Sequence, residues 1–112
     1  MKTPRLTERL RFYRRQEIDD GAGNRRGAWV FQFDLWAEMK SRPGSEVFNA
    51  ARIEGRVPYQ VRVRRSSQSM AIATDWMARD ARGVEYNVQA PQPDLIERRW
   101  VDMVLVAGGV VG

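Results

Sequence analysis

The feature that most constrains the fold is a run of alternating apolar residues. Six alternate positions between residues 29 and 39 are apolar: Trp29, Phe31, Phe33, Leu35, Ala37 and Met39. A helix would distribute these side chains around its circumference, whereas a strand places them on one face. We therefore predict a strand over 29–39, which must bend or twist to remain part of a barrel.

Shorter alternating segments predict the rest of the sheet. They lie at residues 9–18, 57–64, 71–77, 84–88 and 98–106. Turn-forming stretches separate them at 19–27, 66–69, 80–83 and 91–94. Ser45 is a good N-cap and Glu46 suits a first helical turn, so a short helix is predicted over 45–53. The expected fold is mainly β: a small antiparallel β-barrel of five to six strands with one short helix inserted between strands.

The length of 112 residues indicates one domain over 1–112, with flexible termini at 1–8 and 107–112. Trp29 and Trp100 fall on apolar faces and are expected to pack in the core. Trp36 falls on the polar face of its strand, where it would cover a barrel end or meet a neighbouring subunit. Trp76 is not assigned by the pattern.

Composition excludes several kinds of chemistry. The chain has no cysteine and no histidine, so thiolate metal sites, disulfides and Ser-His or Cys-His nucleophiles are ruled out. No apolar run reaches the roughly 18 residues of a membrane helix. Paired aspartates such as Asp19 and Asp20 are explained by turn chemistry. We expect no enzymatic activity, no cofactor, no metal and no membrane partner.

The charge balance is basic and rests on arginine. There are 19 Lys and Arg residues against 14 Asp and Glu, and all but two of the 19 are arginine. Each arginine group could be a solvated face, a contact to DNA phosphates or one side of a salt bridge between subunits. Arg62 and Arg64 share a strand face and form a stripe. Carboxylates that could complement such a stripe across an interface are Asp34, Glu38, Glu46, Glu54 and Asp102.

A series of landmarks runs along almost the whole chain. In order they are Leu10-Arg11-Phe12, Asp20-Gly21, Trp29, Leu35-Trp36-Ala37-Glu38-Met39, Gly44-Ser45-Glu46, Ala50-Ala51-Arg52, Tyr59-Gln60-Val61-Arg62-Val63-Arg64 and Gly83-Val84-Glu85-Tyr86-Asn87-Val88. Over residues 8–106 this pattern resembles the phage head–tail joining (head–tail connector, stopper or adaptor) proteins. That family occurs in long-tailed phages, prophages and gene transfer agents.

The resemblance implies a structural subunit of the neck that joins the DNA-filled head to the tail, assembled in the host cytoplasm. It implies a homo-oligomeric ring of six or twelve copies, with the stopper role of retaining or gating DNA. The implied partners are adaptor or portal-side neck proteins, a tail terminator or tail-tube protein, and double-stranded DNA bound without sequence preference.

By position, the 40–56 segment would face the channel, and the DNA-contact candidates are Arg42, Arg52 and Arg56. The interface candidates are Arg25, Arg26, Trp36, Glu46, Arg62 and Arg64. The alternative is a monomeric OB-like protein that binds single-stranded nucleic acid on Trp36 or Trp76.

Overall fold

Six antiparallel strands close into a barrel, which confirms the predicted mainly β fold. The computed structural model describes residues 4–19, 21, 25–41 and 56–108. The strands are β1 (Glu8–Asp19), β2 (Arg25–Lys40), β3 (Val57–Arg64), β4 (Met77–Arg79), β5 (Glu85–Pro93) and β6 (Trp100–Ala107). Their order around the barrel is β1-β2-β3-β6-β5-β4. The helix predicted over 45–53 lies outside the described residues. Among those described, no helix has the length and apolarity needed to cross a membrane.

The alternating residues of the strands fill the barrel interior, as their period of two requires. The strand residues buried there are Leu10, Phe12, Ala37, Val61, Val63, Ala78, Tyr86, Val88, Val101, Met103 and Leu105. The register pairs Val61 with Met103 and Val63 with Val101, so the inner faces of β3 and β6 coincide. The alternation predicted over 57–64 thus places Val61 and Val63 in the interior.

The connection from β3 to β4 crosses one end of the barrel. These two strands are not neighbours, so residues 65–76 must pass over the opening, and they do so through a 3-10 turn at Ser69–Ala71. Ile72 and Trp76 are buried in the core cluster. The strand predicted over 71–77 is wrong, because this segment fills the barrel end, and pairing begins only at Met77.

A register shift divides the apolar stripe of β2. Phe12 pairs with Phe33 and Tyr13 with Phe31, so Gln32 has no partner on β1. Phe33 packs in the interior, 5.8 Å from the Phe12 ring. Tyr13 faces the opposite side of the sheet from Phe12. Because cross-strand partners share a face, Phe31 lies on the outer side with Tyr13, and so do the alternate residues before Phe31. The prediction of one continuous inward face from residue 29 to 39 is wrong for its first part.

The tryptophans are arranged differently from the prediction. Trp76 lies in the core, 5.7 Å from the ring of Phe33. Trp100 is buried but lies outside the core cluster, on the face of β6 that also carries Asp102. Trp29 is half-buried beside Arg15. Trp29 is therefore not buried in the core as expected, whereas Trp100 is buried as expected but on the face of β6 that points away from the core cluster.

Three boundaries also differ. β2 begins at Arg25, so the connection predicted at 19–27 is shorter, because Asp19 pairs with Arg25. β5 continues to Pro93 although residues 91–94 were predicted to break it. A register irregularity between Gln89 and Gln92 takes Pro91 out of the ladder and lets the strand resume. At the C-terminal side, β6 extends to Ala107, one residue into the segment expected to be flexible.

Candidate interaction surface

The β1–β2 hairpin projects beyond the barrel. β4 pairs with β1 only at Arg11–Tyr13, and β3 pairs with β2 only from Ala37 onward. Among the described strands, residues 13–19 and 25–31, which we call the arm, therefore pair only with each other, except that Tyr13 also pairs with Met77 of β4. Because Ala37 lies beside Val63, the arm extends past the C-terminal end of β3. We call this end of the barrel the arm end.

The arm carries exposed aromatic surface. Tyr13 and Phe31 meet edge to face, with ring centroids 5.8 Å apart, and Phe31 is 52% exposed. Next along the same face, the guanidinium of Arg15 lies 5.8 Å from the centre of the Trp29 ring. Cation–π and edge-to-face contacts order these side chains without removing them from solvent. The arm is therefore an ordered apolar and basic surface.

Two groups of arginines meet at the arm end. Arg64 pairs with Trp100 across β3 and β6, and the Arg65 amide donates to the Arg99 carbonyl at 2.7 Å. The Arg64 guanidinium lies 5.6 Å from the centre of the Trp100 ring. The pairing thus brings Arg64 and Arg65 beside Arg98 and Arg99, groups far apart in sequence.

The β5–β6 connection at this end presents two aliphatic side chains. Leu95 is 78% exposed and Ile96 is 86% exposed. We call residues 94–99 the tip turn. The Asp94 carboxylate accepts the Ile96 amide at 3.0 Å, and the Asp94 carbonyl accepts the Arg98 amide at 3.1 Å. Arg98 has a φ of 56°, in the left-handed region. The conformation of the turn is thus fixed by its own hydrogen bonds.

Arg62, one of the interface candidates, is bound within its own chain. Its guanidinium donates to both oxygens of Asp102 at 2.6 and 2.8 Å and to Asp94 at 3.3 Å. The bidentate hydrogen bonds to Asp102 raise the pKa of Arg62, against the opposing effect of burial. This network ties the tip turn to β3 and β6. Asp102, which was expected to complement arginines across an interface, therefore binds Arg62 of its own chain instead. Arg64 is the more exposed of the two arginines in the predicted stripe.

The other described carboxylates of that expected set also have partners within the chain. Asp34 accepts from Arg9 at 2.8 Å, and Glu38 accepts the backbone amide of Arg5 at 2.7 Å. Trp36 is half-exposed, with the Arg9 guanidinium 5.0 Å from its ring centre. Trp36 remains an interface candidate, whereas the carboxylates beside it already accept hydrogen bonds from groups of their own chain.

Asp80, the buried carboxylate of the described residues, closes a turn. Asp80 accepts the Arg82 and Val84 amides at 2.9 and 3.0 Å and the Tyr86 hydroxyl at 2.8 Å. Burial acts to raise the pKa of Asp80, but these hydrogen bonds outweigh it and hold the pKa below its ordinary value. Burial, followed by the bond to Asp80, raises the pKa of Tyr86. The pair is a fully bonded element of the turn between β4 and β5.

A shallow groove of about 370 Å³ runs along the outside of β1 and β4, beside Arg9, Arg11 and Arg79. Arg9 is bound to Asp34 and Arg79 to Glu85. Within the part of the chain that the structure describes, no three His, Cys, Asp or Glu side chains come together as a potential metal site.

The remaining predicted residues fall in different places. Arg56 is half-buried just before β3, at the end of the barrel opposite the arm. Arg25 and Arg26 open β2 on the arm, opposite Asp19 and Ile18. The candidates outside the described residues are Arg42, Glu46 and Arg52.

Sequence reasoning missed Leu95 and Ile96. The available signal was an apolar pair between Asp94 and Glu97, inside a stretch otherwise predicted as a turn.

The OB-like alternative loses one of its two stacking residues. Trp76 is only 6% exposed and packs against Phe33, so it cannot stack on a base. Stacking on single strands requires aromatic faces open to solvent beside cations. Trp36 alone of that pair retains an exposed ring, and Arg9 already lies over it.

A closed barrel with a projecting arm and an ordered, exposed apolar turn defines a small structural β-barrel protein. A family model described as phage head completion protein matches residues 1–108, and the chain therefore belongs to the phage head completion protein family. The relationship and the location in a phage-type particle expected from the sequence are thus confirmed. Such a chain is a structural protein of that particle.

Solved structures share the fold. Protein SF1141 from Shigella flexneri 2a aligns with a TM-score of 0.73 at 18% identity, covering 97% of this chain and 98% of its own. A chain from the virion of a native gene transfer agent particle aligns with a TM-score of 0.64 at 21% identity, covering 98% of this chain and 100% of its own. No curated protein sequence matches the chain.

Proposed function

We propose that this protein is the ring-forming stopper of the neck, which joins the filled head to the tail and retains DNA in the channel. The observation that carries the proposal is the arm. A hairpin whose strands, apart from Tyr13, pair only with each other within the described part of the chain, and which exposes Phe31, gives each copy a surface suited to a neighbour. Cyclic rings use heterologous contacts between two different surfaces of identical chains, and the arm supplies one of the two. The ring would hold six or twelve copies.

The DNA contact is assigned to the opposite end of the barrel. Ser41 and Arg56 flank the 42–55 segment there, away from the arm. In the proposed ring this segment faces the channel, and Arg42, Arg52 and Arg56 contact phosphates. Phosphate contacts suit the task, because DNA of any sequence must pass and such contacts carry no sequence information. Adaptor or portal-side proteins and a tail terminator or tail-tube protein would bind the remaining surfaces.

The ring is tested with Phe31→Asp and a matched control. Val84 is an exposed aliphatic residue at the end opposite the arm, so Val84→Asp makes the same charge change away from the proposed contact. We expect wild type and Val84→Asp to form rings on purified heads, seen by imaging of the necks, and Phe31→Asp to form none. Light scattering gives the mass of each protein alone. A wild-type protein that stays monomeric, ignores heads and binds single-stranded oligonucleotides would overturn the proposal and support the OB-like alternative.

The DNA role is tested with the double variant Arg42→Ala and Arg52→Ala. The comparison is Arg11→Ala, an exposed arginine of β1 outside the arm. If the channel contact is correct, particles with the double variant release DNA that becomes accessible to nuclease, and Arg11→Ala particles do not. Equal DNA retention in the two kinds of particle would refute the assignment while leaving the ring intact.

A further inference from the structure

The tip turn is built as a rigid, protruding apolar surface. Leu95 and Ile96 are the two most exposed of the large hydrophobic side chains in the described part of the chain. The turn beneath them is closed by Asp94, which is itself held by Arg62, and the Asp94 amide donates to the Trp100 carbonyl at 3.0 Å. A preordered loop loses little conformational entropy when it binds. Isolated exposed aliphatic residues are common, whereas an adjacent pair on a fixed turn forms a contiguous apolar surface of the kind found at interaction sites.

The charge around this pair is mainly positive. Arg98 and Arg99 belong to the turn itself, and Arg64 and Arg65 lie next to it across the β3–β6 pairing. The two carboxylates of the turn form hydrogen bonds or ion pairs within the chain. Asp94 binds Arg62, and Glu97 accepts the Trp100 indole N–H at 2.8 Å. The tip therefore combines an apolar centre with a cationic rim.

We propose that the tip turn inserts into an apolar pocket rimmed by carboxylates on a different protein of the particle. This inference rests on the proposed function only in taking the particle as the setting. DNA offers phosphates to the arginines but no pocket for Leu95 and Ile96. A second copy of this chain suits the rim poorly, because most of its described carboxylates already have internal partners. Those with contacts shown here are Asp34, Glu38, Asp80, Glu85, Asp94, Glu97 and Asp102.

The test places a photo-crosslinking amino acid, p-benzoylphenylalanine, at position 96 of the full chain in assembled particles. The control carries the same probe at Val84. We expect position 96 to cross-link to a different protein, at a segment in which apolar residues are flanked by Asp or Glu. Adding Arg98→Glu and Arg99→Glu should reduce the cross-link yield at least about tenfold, since each reversal replaces an attraction by a repulsion. The position 84 probe should not reach that segment.

Cross-links from position 96 to DNA, to a second copy of this chain or to no molecule would each overturn the proposal. So would binding to anionic lipid vesicles that depends on Leu95 and Ile96, which would make the tip a membrane contact. Imaging of the same particles separates this inference from the ring. A ring without the expected cross-link refutes the tip proposal alone, and the cross-link without a ring refutes the ring alone.

Discussion

Replacing Asp80 tests whether the turn between β4 and β5 stabilises the barrel as a unit. In Asp80→Ala, the Arg82 and Val84 amides lose an acceptor but lie in an exposed turn where water can replace it. The Tyr86 hydroxyl is different, because Tyr86 is only 2% exposed and loses its partner inside the barrel. An unsatisfied buried group costs about 1–3 kcal/mol, and hydrogen bonds to a charged group contribute about 1.5–3 kcal/mol. We expect Asp80→Ala to lower the free energy of unfolding by about 3 kcal/mol.

A double-mutant cycle with Tyr86→Phe isolates the shared contact. The single variant Tyr86→Phe should cost about 1.5–2 kcal/mol, because it removes one charge-assisted hydrogen bond and leaves the backbone donors of the turn in place. Once the hydroxyl is absent, removing Asp80 no longer strands it, so the double variant should lose less than the sum. Urea unfolding followed by tryptophan fluorescence gives the three values. A coupling energy below about 0.5 kcal/mol would refute the argument that the two groups act together.

The same pair gives a pH dependence of known sign. The folded-state pKa of Asp80 lies below its ordinary value near 3.8, so its contribution is fully present above that value and is lost as the pH falls through the folded pKa. Wild type should therefore lose stability relative to Asp80→Asn as the pH falls below about 4. The difference between the two proteins should be constant from pH 5 to 7. An advantage of wild type over Asp80→Asn that grew as the pH fell below about 4 would contradict the sign.

Four further substitutions test the packing, the ion network and the turn geometry by urea unfolding. Phe12→Ala should cost about 3–5 kcal/mol because Phe12 is fully buried, whereas Phe31→Ala on the arm should cost less than about 1 kcal/mol. Arg62→Ala should lower the free energy of unfolding by about 1–2 kcal/mol at low salt, because it leaves Asp94 and Asp102 without their cation. An unchanged free energy of unfolding would show that this network does not stabilise the fold. Gly83→Ala should cost about 1 kcal/mol, because Gly83 has a φ of +87° and no crowding neighbours, so any loss reports backbone strain alone.

Local pattern was sufficient for the strands that lie wholly in the barrel wall. In β3 and β6 each side chain has one of two environments, interior or exterior, and the period of two records that choice along the chain. The alternation around Val61 therefore predicted β3 and its inward face, and the alternation around Met103 predicted the strand β6 without its inward face. Family landmarks along the chain added the class of particle, which no single residue of the barrel could indicate.

Features that depend on pairing partners were beyond local pattern. The register shift beside Gln32 is decided by how β1 meets β2, so the stripe through Phe31 looked continuous in the sequence. Trp76 becomes a core residue only because the chain crosses the barrel end to reach β4. The arginine cluster needs Arg65 and Arg99 to meet across β3 and β6. In each case the missing information was long-range strand order.

The arm has an implication that follows from its backbone rather than its side chains. Closing the barrel wall satisfies the amides and carbonyls of its strands on both sides, whereas beyond Tyr13 neither strand of the arm has a second neighbour among the described strands. An extended segment of a neighbouring molecule can therefore add to it as a further strand. A joint, meaning a contact between two molecules made of main-chain hydrogen bonds, uses amide and carbonyl groups, and every residue except proline supplies both. Such a joint can persist while the side chains along it change.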